Sequence, residues 1–114
     1  MEELKLKLRV FAEERDWNQF HSPKNLAMAL SVEVAELVEH FQWLTEDQSY
    51  IKDPEKVEKI KNEIGDVLIY LTRLSDKLGI DPLAAAKTKM MVNERKYSVD
   101  KAKGNAKKYT ELDT

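Results

Sequence analysis

Residues 32–43 read VEVAELVEHFQW. Val34, Leu37, Val38 and Phe41 recur at the three- and four-residue steps of a helix face that turns toward a core. Glu33 and Glu36 stand beside that face, three residues apart. Carboxylates at the margin of a buried stripe need a partner, because an unpaired buried charge is costly. At an offset of 30 residues the pattern returns. Leu30, Val34, Leu37, Val38, Phe41 and Leu44 are matched by Ile60, Ile64, Val67, Leu68, Leu71 and Leu74. In the same register Glu33 matches Glu63, Glu36 matches Asp66 and His40 matches Tyr70. A repeated apolar stripe is expected in any helical bundle; a repeated acidic pair at the same angle to it is not. At about 100° per residue, each pair lies on the same flank of its stripe. If the two helices pack antiparallel through their stripes, four carboxylates meet at one spot.

The rest of the chain is punctuated in the same helical idiom. Each of its 3 prolines follows a residue able to cap a helix: Ser22, Asp53 and Asp81. Proline at the first helical position lacks only an N–H that would be unpaired anyway, and the residue before it can accept from first-turn amides. Gly79 reads as a helix C-cap. The spacing predicts helices over 2–16, 23–45, 54–78 and 82–97, with no strand. The expectation is an all-α, four-helix bundle in one domain, 1–97, followed by a basic tail, 98–114, in which KKYTEL at 107–112 is a segment that could dock.

Composition sets the bounds. A chain of 114 residues with 42% hydrophobic and 35% charged residues is the size of one soluble domain. No apolar run approaches the roughly 20 residues of a membrane span. The N-terminal stretch is charged and periodic, unlike a signal peptide, so a cytoplasmic protein is expected. With 0 cysteines there is neither a disulfide framework nor a thiolate metal site. The net charge of −2 is unevenly spread: residues 1–86 hold 11 basic and 17 acidic residues, and residues 87–109 hold 8 and 2. That distribution suits an anionic ligand held near acidic groups, or simply a solvated helix face followed by a basic tail.

Clustered carboxylates repel unless a cation sits among them, and their oxygens suit Mg²⁺, Mn²⁺ or Ca²⁺. Residues three apart on a helix are neighbours, so E-x-x-E on one helix and E-x-x-D on another form an ion-binding wall. A di-iron carboxylate bundle wants Glu-x-x-His pairs, and His40 stands four after Glu36 and one after Glu39, so that pairing is absent. Magnesium held by few carboxylates completes its shell with water and substrate phosphates, which points to a phosphorylated substrate. Gly65, inside the third helix, is unfavourable there by about 1 kcal/mol relative to alanine. It would serve close approach of a ligand or a neighbouring helix.

EVAELVEHFQW followed by NEIGDVLIYL resembles the MazG-like all-α nucleoside triphosphate pyrophosphohydrolases, whose signature is E-x-x-E, a spacer, then E-x-x-D. FAEERDWNQFHSPKNLAMAL at 11–30, KM at 89–90, NERKY at 93–97 and KKYTEL at 107–112 are similar to the dCTP pyrophosphatase branch. The resemblance covers nearly the whole chain, least informatively at 45–53. It implies cleavage of a nucleoside triphosphate, dCTP or a related deoxynucleotide, between the α and β phosphates, and a role in clearing the nucleotide pool. It assigns Glu33, Glu36, Glu63 and Asp66 to Mg²⁺; the all-oxygen donor set by itself suits Mn²⁺ as well. It places Trp17, Asn18, Gln19, Phe20, His21, Trp43 and Tyr70 at substrate positions. It also implies a homotetramer built from tight dimers. Leu8 departs from a histidine found in some members, which leaves base and sugar selectivity open.

Residue chemistry supports these roles independently. Trp17 and Trp43 offer faces on which a base stacks for about 1–3 kcal/mol, although Trp17 and Phe20 would also serve as core anchors. Asn18, Gln19 and His21 can bond a base edge or sugar. Lys89, Asn93 and Lys96 share one helix face, where cations would hold the distal phosphates. In the expected hydrolysis, Glu36 accepts the proton of the attacking water, with Glu63 and Asp66 completing the catalytic set and Glu39 as a helper. Two other classes remain open at this stage: a non-enzymatic helical interaction module, and a nucleic-acid binder using residues 87–109. Neither a membrane nor a nucleic acid is the expected partner; a second copy of the chain is, given the apolar residues Leu4, Leu6, Leu8, Val10 and Phe11.

Overall fold

A computed structural model describes residues 1–104 and 106. Among them are five α-helices and no strand: α1 (Glu2–Glu14), α2 (Pro23–Glu39), α3 (Pro54–Lys77), α4 (Pro82–Lys96) and the one-turn α5 (Val99–Ala102). The all-α expectation holds, and α5 is an addition to the four expected helices. The KKYTEL segment lies outside the described residues. The chain forms two compact units, the first over 1–80 and the second from 81 onward.

The predicted caps are in place. Ser22 Oγ accepts from the amide of Asn25 at 3.1 Å. Asp53 Oδ1 accepts from Glu55 at 3.1 Å, and Asp81 Oδ1 from Leu83 and Ala84 at 3.0 and 3.2 Å. Such caps satisfy first-turn amides that have no partner within the helix. At the end of α3, Gly79 takes φ 68°. The Ile80 amide then reaches Ser75 O at 2.8 Å and the Gly79 amide reaches Asp76 O at 3.1 Å, the paired bonds that close a Schellman turn.

Two helices end more than one residue sooner than their periodicity suggests. α1 stops at Glu14, and Asp16 adopts φ 54°, a left-handed conformation that aspartate tolerates better than most residues. A 3₁₀ turn, Asn18–Phe20, follows. α2 stops at Glu39 rather than 45. The His40 and Phe41 amides bond three residues back, to Leu37 O and Val38 O at 3.2 and 2.9 Å, and the ladder gives way to turns; further on, Thr45 Oγ1 accepts from the Gln48 amide at 3.2 Å, and Gln48 Oε1 accepts from the Thr45 amide at 3.0 Å. This reciprocal box overlaps a separate 3₁₀ turn, Asp47–Ser49, so the chain does not run on as one helix through 45.

In the first unit α2 packs on α3, and α1 also packs on α3. The covered side of α2 is shifted from the stripe toward its acidic flank. Leu30, Glu33, Glu36, Leu37, His40 and Phe41 are partly covered, whereas Val34 and Val38 are 41% and 51% exposed. On α3 the shift repeats: Ile60, Glu63, Val67 and Tyr70 are partly covered, and Ile64 is 53% exposed. The helices therefore meet through one half of each stripe plus the carboxylates, and the other half faces outward. Among the described residues only Ala12 and Leu26 are fully buried apolar side chains.

Candidate functional site

Glu33, Glu36 and Glu63 each place a carboxylate oxygen within 4.8 Å of the others, all in partly buried positions. Two helices supply them: α2 gives the pair three residues apart, and α3 gives the third. Asp66 is exposed and stands outside this close set, yet its charge acts on both Glu33 and Glu63. Burial, then the hydrogen bond and charge of Glu36, then the charges of Asp66 and Glu63 push the Glu33 carboxyl above the ordinary carboxylate range. Glu63 is raised for the same reasons, burial first, then Glu36 and Asp66. His40 partly offsets this, with Nε2 3.9 Å from Glu63 Oε1.

Two oxygens in the cluster, Glu33 Oε2 and Glu63 Oε2, are buried without a hydrogen-bond partner. Native proteins rarely leave such atoms unanswered. An all-oxygen set of converging, mutually repelling carboxylates fits a hard divalent cation such as Mg²⁺ or Mn²⁺, which would supply the missing partner and the opposing charge. His40 was not singled out by the sequence as a site residue. The signal was present, since it matches Tyr70 in the repeat. A cavity of about 610 Å³ opens beside His40 and is walled in part by Tyr50, Lys52, Lys56 and Lys59.

The segment between α1 and α2 holds the next group. Trp17 is 42% exposed and packs edge-on against Phe11, with centroids 5.6 Å apart, and against His21 at 6.1 Å. Asn18 Oδ1 and His21 Nδ1 face the buried Arg73 of α3, at 2.9 and 3.3 Å from Nη2. Gln19 Nε2 donates to Asp16 O at 2.9 Å, and Phe20 is 60% exposed. Trp43 is 87% exposed in the turn after α2, and Tyr70 is partly buried on the acid-bearing side of α3. Lys89 and Asn93 lie on α4, in the second unit, Lys89 exposed and Asn93 partly covered. Gly65 has open space where a Cβ would stand, so no neighbour among the described residues requires glycine there.

The family model described as MazG-like family matches residues 28–112, which include both acidic turns. This chain belongs to the MazG-like family. Within that family, its sequence is 43% identical to dCTP pyrophosphatase 1 of Homo sapiens over 104 residues, covering 90% of this chain and 61% of the human protein. Against dCTP pyrophosphatase 1 of Mus musculus it is 44% identical over 104 residues, covering 90% of this chain and 61% of the mouse protein. The chain thus spans about 61% of the length of these curated relatives. Its fold is similar to the crystal structure of a pyrophosphatase from Archaeoglobus fulgidus DSM 4304, with a TM-score of 0.76 and 48% identity over 86% of this chain and 92% of that one. No helix among the described residues is long and apolar enough to cross a membrane.

Proposed function

We propose that this MazG-like chain is a Mg²⁺-dependent nucleoside triphosphate pyrophosphohydrolase, with dCTP or a related deoxynucleotide as substrate and the α–β phosphate bond as the point of cleavage. One observation carries the reading: three carboxylates from two helices converge within 4.8 Å, and two of their oxygens are buried and unpartnered. The names of the human and mouse relatives support the substrate. The repeated acidic register and the family match support the metal set of Glu33, Glu36, Glu63 and Asp66. A bound divalent cation supplies charge that offsets the phosphate oxygens and makes a water molecule more acidic.

The chain's own groups do the rest. Glu36 accepts a proton from the attacking water, Glu63 and Asp66 being the other catalytic carboxylates. Trp17 and Trp43 sandwich or flank the base, with Asn18, Gln19, Phe20, His21 and Tyr70 around base and sugar. Lys89 and Asn93, on α4, carry the donors whose chemistry suits the distal phosphates. In this reading residues 1–97 are the catalytic domain, 98–114 a basic tail, and the location cytoplasmic.

A second copy of the chain belongs to the same reading, as a dimer or a tetramer. The outward halves of both stripes support it, as does the scarcity of fully buried apolar side chains among the described residues: few domains of this size are stable without burying more.

The test is incubation of the chain with each deoxynucleoside triphosphate and Mg²⁺, measuring pyrophosphate against orthophosphate. Pyrophosphate with the monophosphate is the expected product pair. Orthophosphate alone would replace the reading with a stepwise phosphatase, and no turnover would favour a helical interaction module. Steeply salt-dependent binding of nucleic acid would instead favour use of the basic 87–109 stretch.

A further inference from the structure

We propose that Arg73 is a positioning residue for nucleotide binding: through His21 and Asn18 it holds Trp17 at the angle on which a base stacks. The inference rests on the assignment of Trp17 to the base made above, and it adds a residue of α3 that no acidic motif or aromatic motif contains.

Arg73 is 4% exposed. Its charge is answered by Asp76, with Nη1 3.8 Å from Oδ2. Asp76 in turn is gripped by Arg9, so Arg73 is not needed to satisfy it. Its Nη2 turns instead to the segment between α1 and α2. It donates to Asn18 Oδ1 at 2.9 Å and lies 3.3 Å from His21 Nδ1. Lys77, one turn on, reaches the same Asn18 oxygen at 3.4 Å.

A guanidinium has donors only. For the short approach to be favourable, His21 Nδ1 must present its lone pair, which leaves the imidazole neutral with its proton on Nε2. Burial, then the charges of Arg73 and Lys77, lower the His21 pKa in keeping with that state. One α3 side chain therefore sets both the rotation and the tautomer of the His21 ring.

That ring is one of the two that Trp17 meets edge-on. His21 lies at 6.1 Å and 61° to the indole, and Phe11 lies at 5.6 Å and 71°. Phe11 is fixed from α1, where the Arg15 guanidinium covers its ring at 3.6 Å. With Arg73 removed, the Phe11 wall stays and the His21 wall is free to turn. The indole then loses one of its two ring contacts as a fixed restraint, and binding a base must first restore it, a cost that appears in substrate affinity rather than in the chemical step.

The experiment is steady-state hydrolysis of dCTP by the full chain and by Arg73→Met, His21→Ala, the double variant and Trp17→Ala, together with ¹⁵N NMR of the His21 imidazole. Arg73→Met is expected to raise KM about tenfold, within the range a base stack provides, with kcat nearly unchanged. His21→Ala, which also removes a group placed beside the base, should raise KM at least as much, and the double variant no more than His21→Ala alone, because Arg73 acts through that ring. Arg73→Lys, which keeps one donor, should recover part of the loss. In the wild type the His21 proton should be on Nε2. Should Arg73→Met fail to fold, Arg73→Lys and the tautomer decide the matter.

A folded Arg73→Met with unchanged KM, additive effects in the double variant, or a His21 proton on Nδ1 would overturn the inference. If wild type is active and Trp17→Ala raises KM while the Arg73 variants do not, the activity stands and only the role of Arg73 falls. If wild type releases no pyrophosphate from any nucleotide, the proposed activity falls and takes this role with it.

Discussion

Arg9 closes a fork on Asp76, its Nε and Nη2 donating to the two carboxylate oxygens at 2.7 and 2.6 Å. The pair ties α1 to α3 across 67 residues of chain. The Arg9 hydrogen bond holds the Asp76 carboxyl below its ordinary range, more strongly than burial raises it. Asp76→Ala removes the partner of Arg9 and the counter-charge of buried Arg73, and should destabilise the fold by about 2 kcal/mol in urea denaturation. A carboxylate with a lowered folded pKa stabilises above its unfolded value. That contribution fades as pH falls through the folded one. Asp76→Asn should therefore flatten the acid limb of the stability profile, which a pH series of melts will show.

The carboxylate cluster has the opposite sign. Glu33 and Glu63 are raised in the folded state, so the folded chain binds protons more readily than the unfolded one. Without a divalent ion, stability should fall as pH rises from the ordinary carboxylate range through the raised values. Mg²⁺ should add more to Tm at neutral pH than at pH near the ordinary carboxylate value. Thermal melts with EDTA or Mg²⁺ across that window check it, and a Mg²⁺ effect independent of pH would contradict it.

Glu63→Gln separates stability from activity. It removes one of the crowded charges, so metal-free Tm should stay or rise. Pyrophosphate release should fall by more than about 100-fold, beyond the usual loss from changes outside the metal's own ligands. Circular dichroism and a pyrophosphate assay on one sample read both.

How far the sequence reveals this molecule depends on the range of the interaction. The Ser22, Asp53 and Asp81 caps are legible because cap and amide lie two or three residues apart. The acidic centre is legible because Glu33 and Glu63 repeat in register, although the helices meet on that flank rather than through the whole stripe. The break after 44 is also local, since Thr45 and Gln48 fit a capping box that the stripe ending at Leu44 overshadowed. Arg73 is different. Its partners Asn18 and His21 are 55 and 52 residues away, and an arginine on a helix reads by default as a solvated charge until folding brings them together.

Gly65 offers a clean measurement. It lies within α3 between two site residues, and a Cβ there meets open space. Gly65→Ala should stabilise the helix by about 1 kcal/mol, seen as a rise of a few degrees in Tm. Loss of stability instead would mean that another copy of the chain approaches that backbone closely.

The outward halves of the stripes make the sharpest test of assembly. Val38 is 51% exposed and Leu68 is 38% exposed in the single chain. Surface substitutions at such positions normally change stability by less than about 0.5 kcal/mol. If a second copy covers them, Val38→Glu and Leu68→Glu each bury an unpaired charge at the contact, a far larger penalty. The expected outcome is a wild-type mass of at least a dimer by light scattering, and a shift toward monomer with a lower Tm in either variant. Because the carboxylate flank and the outward half belong to the same two helices, dissociation should also loosen the carboxylate cluster and raise the Mg²⁺ concentration that the proposed activity needs. A monomeric wild type with full activity, or a pair of glutamate variants that assemble and melt as wild type does, would remove the assembly from the account while leaving Glu33, Glu36 and Glu63 where they are.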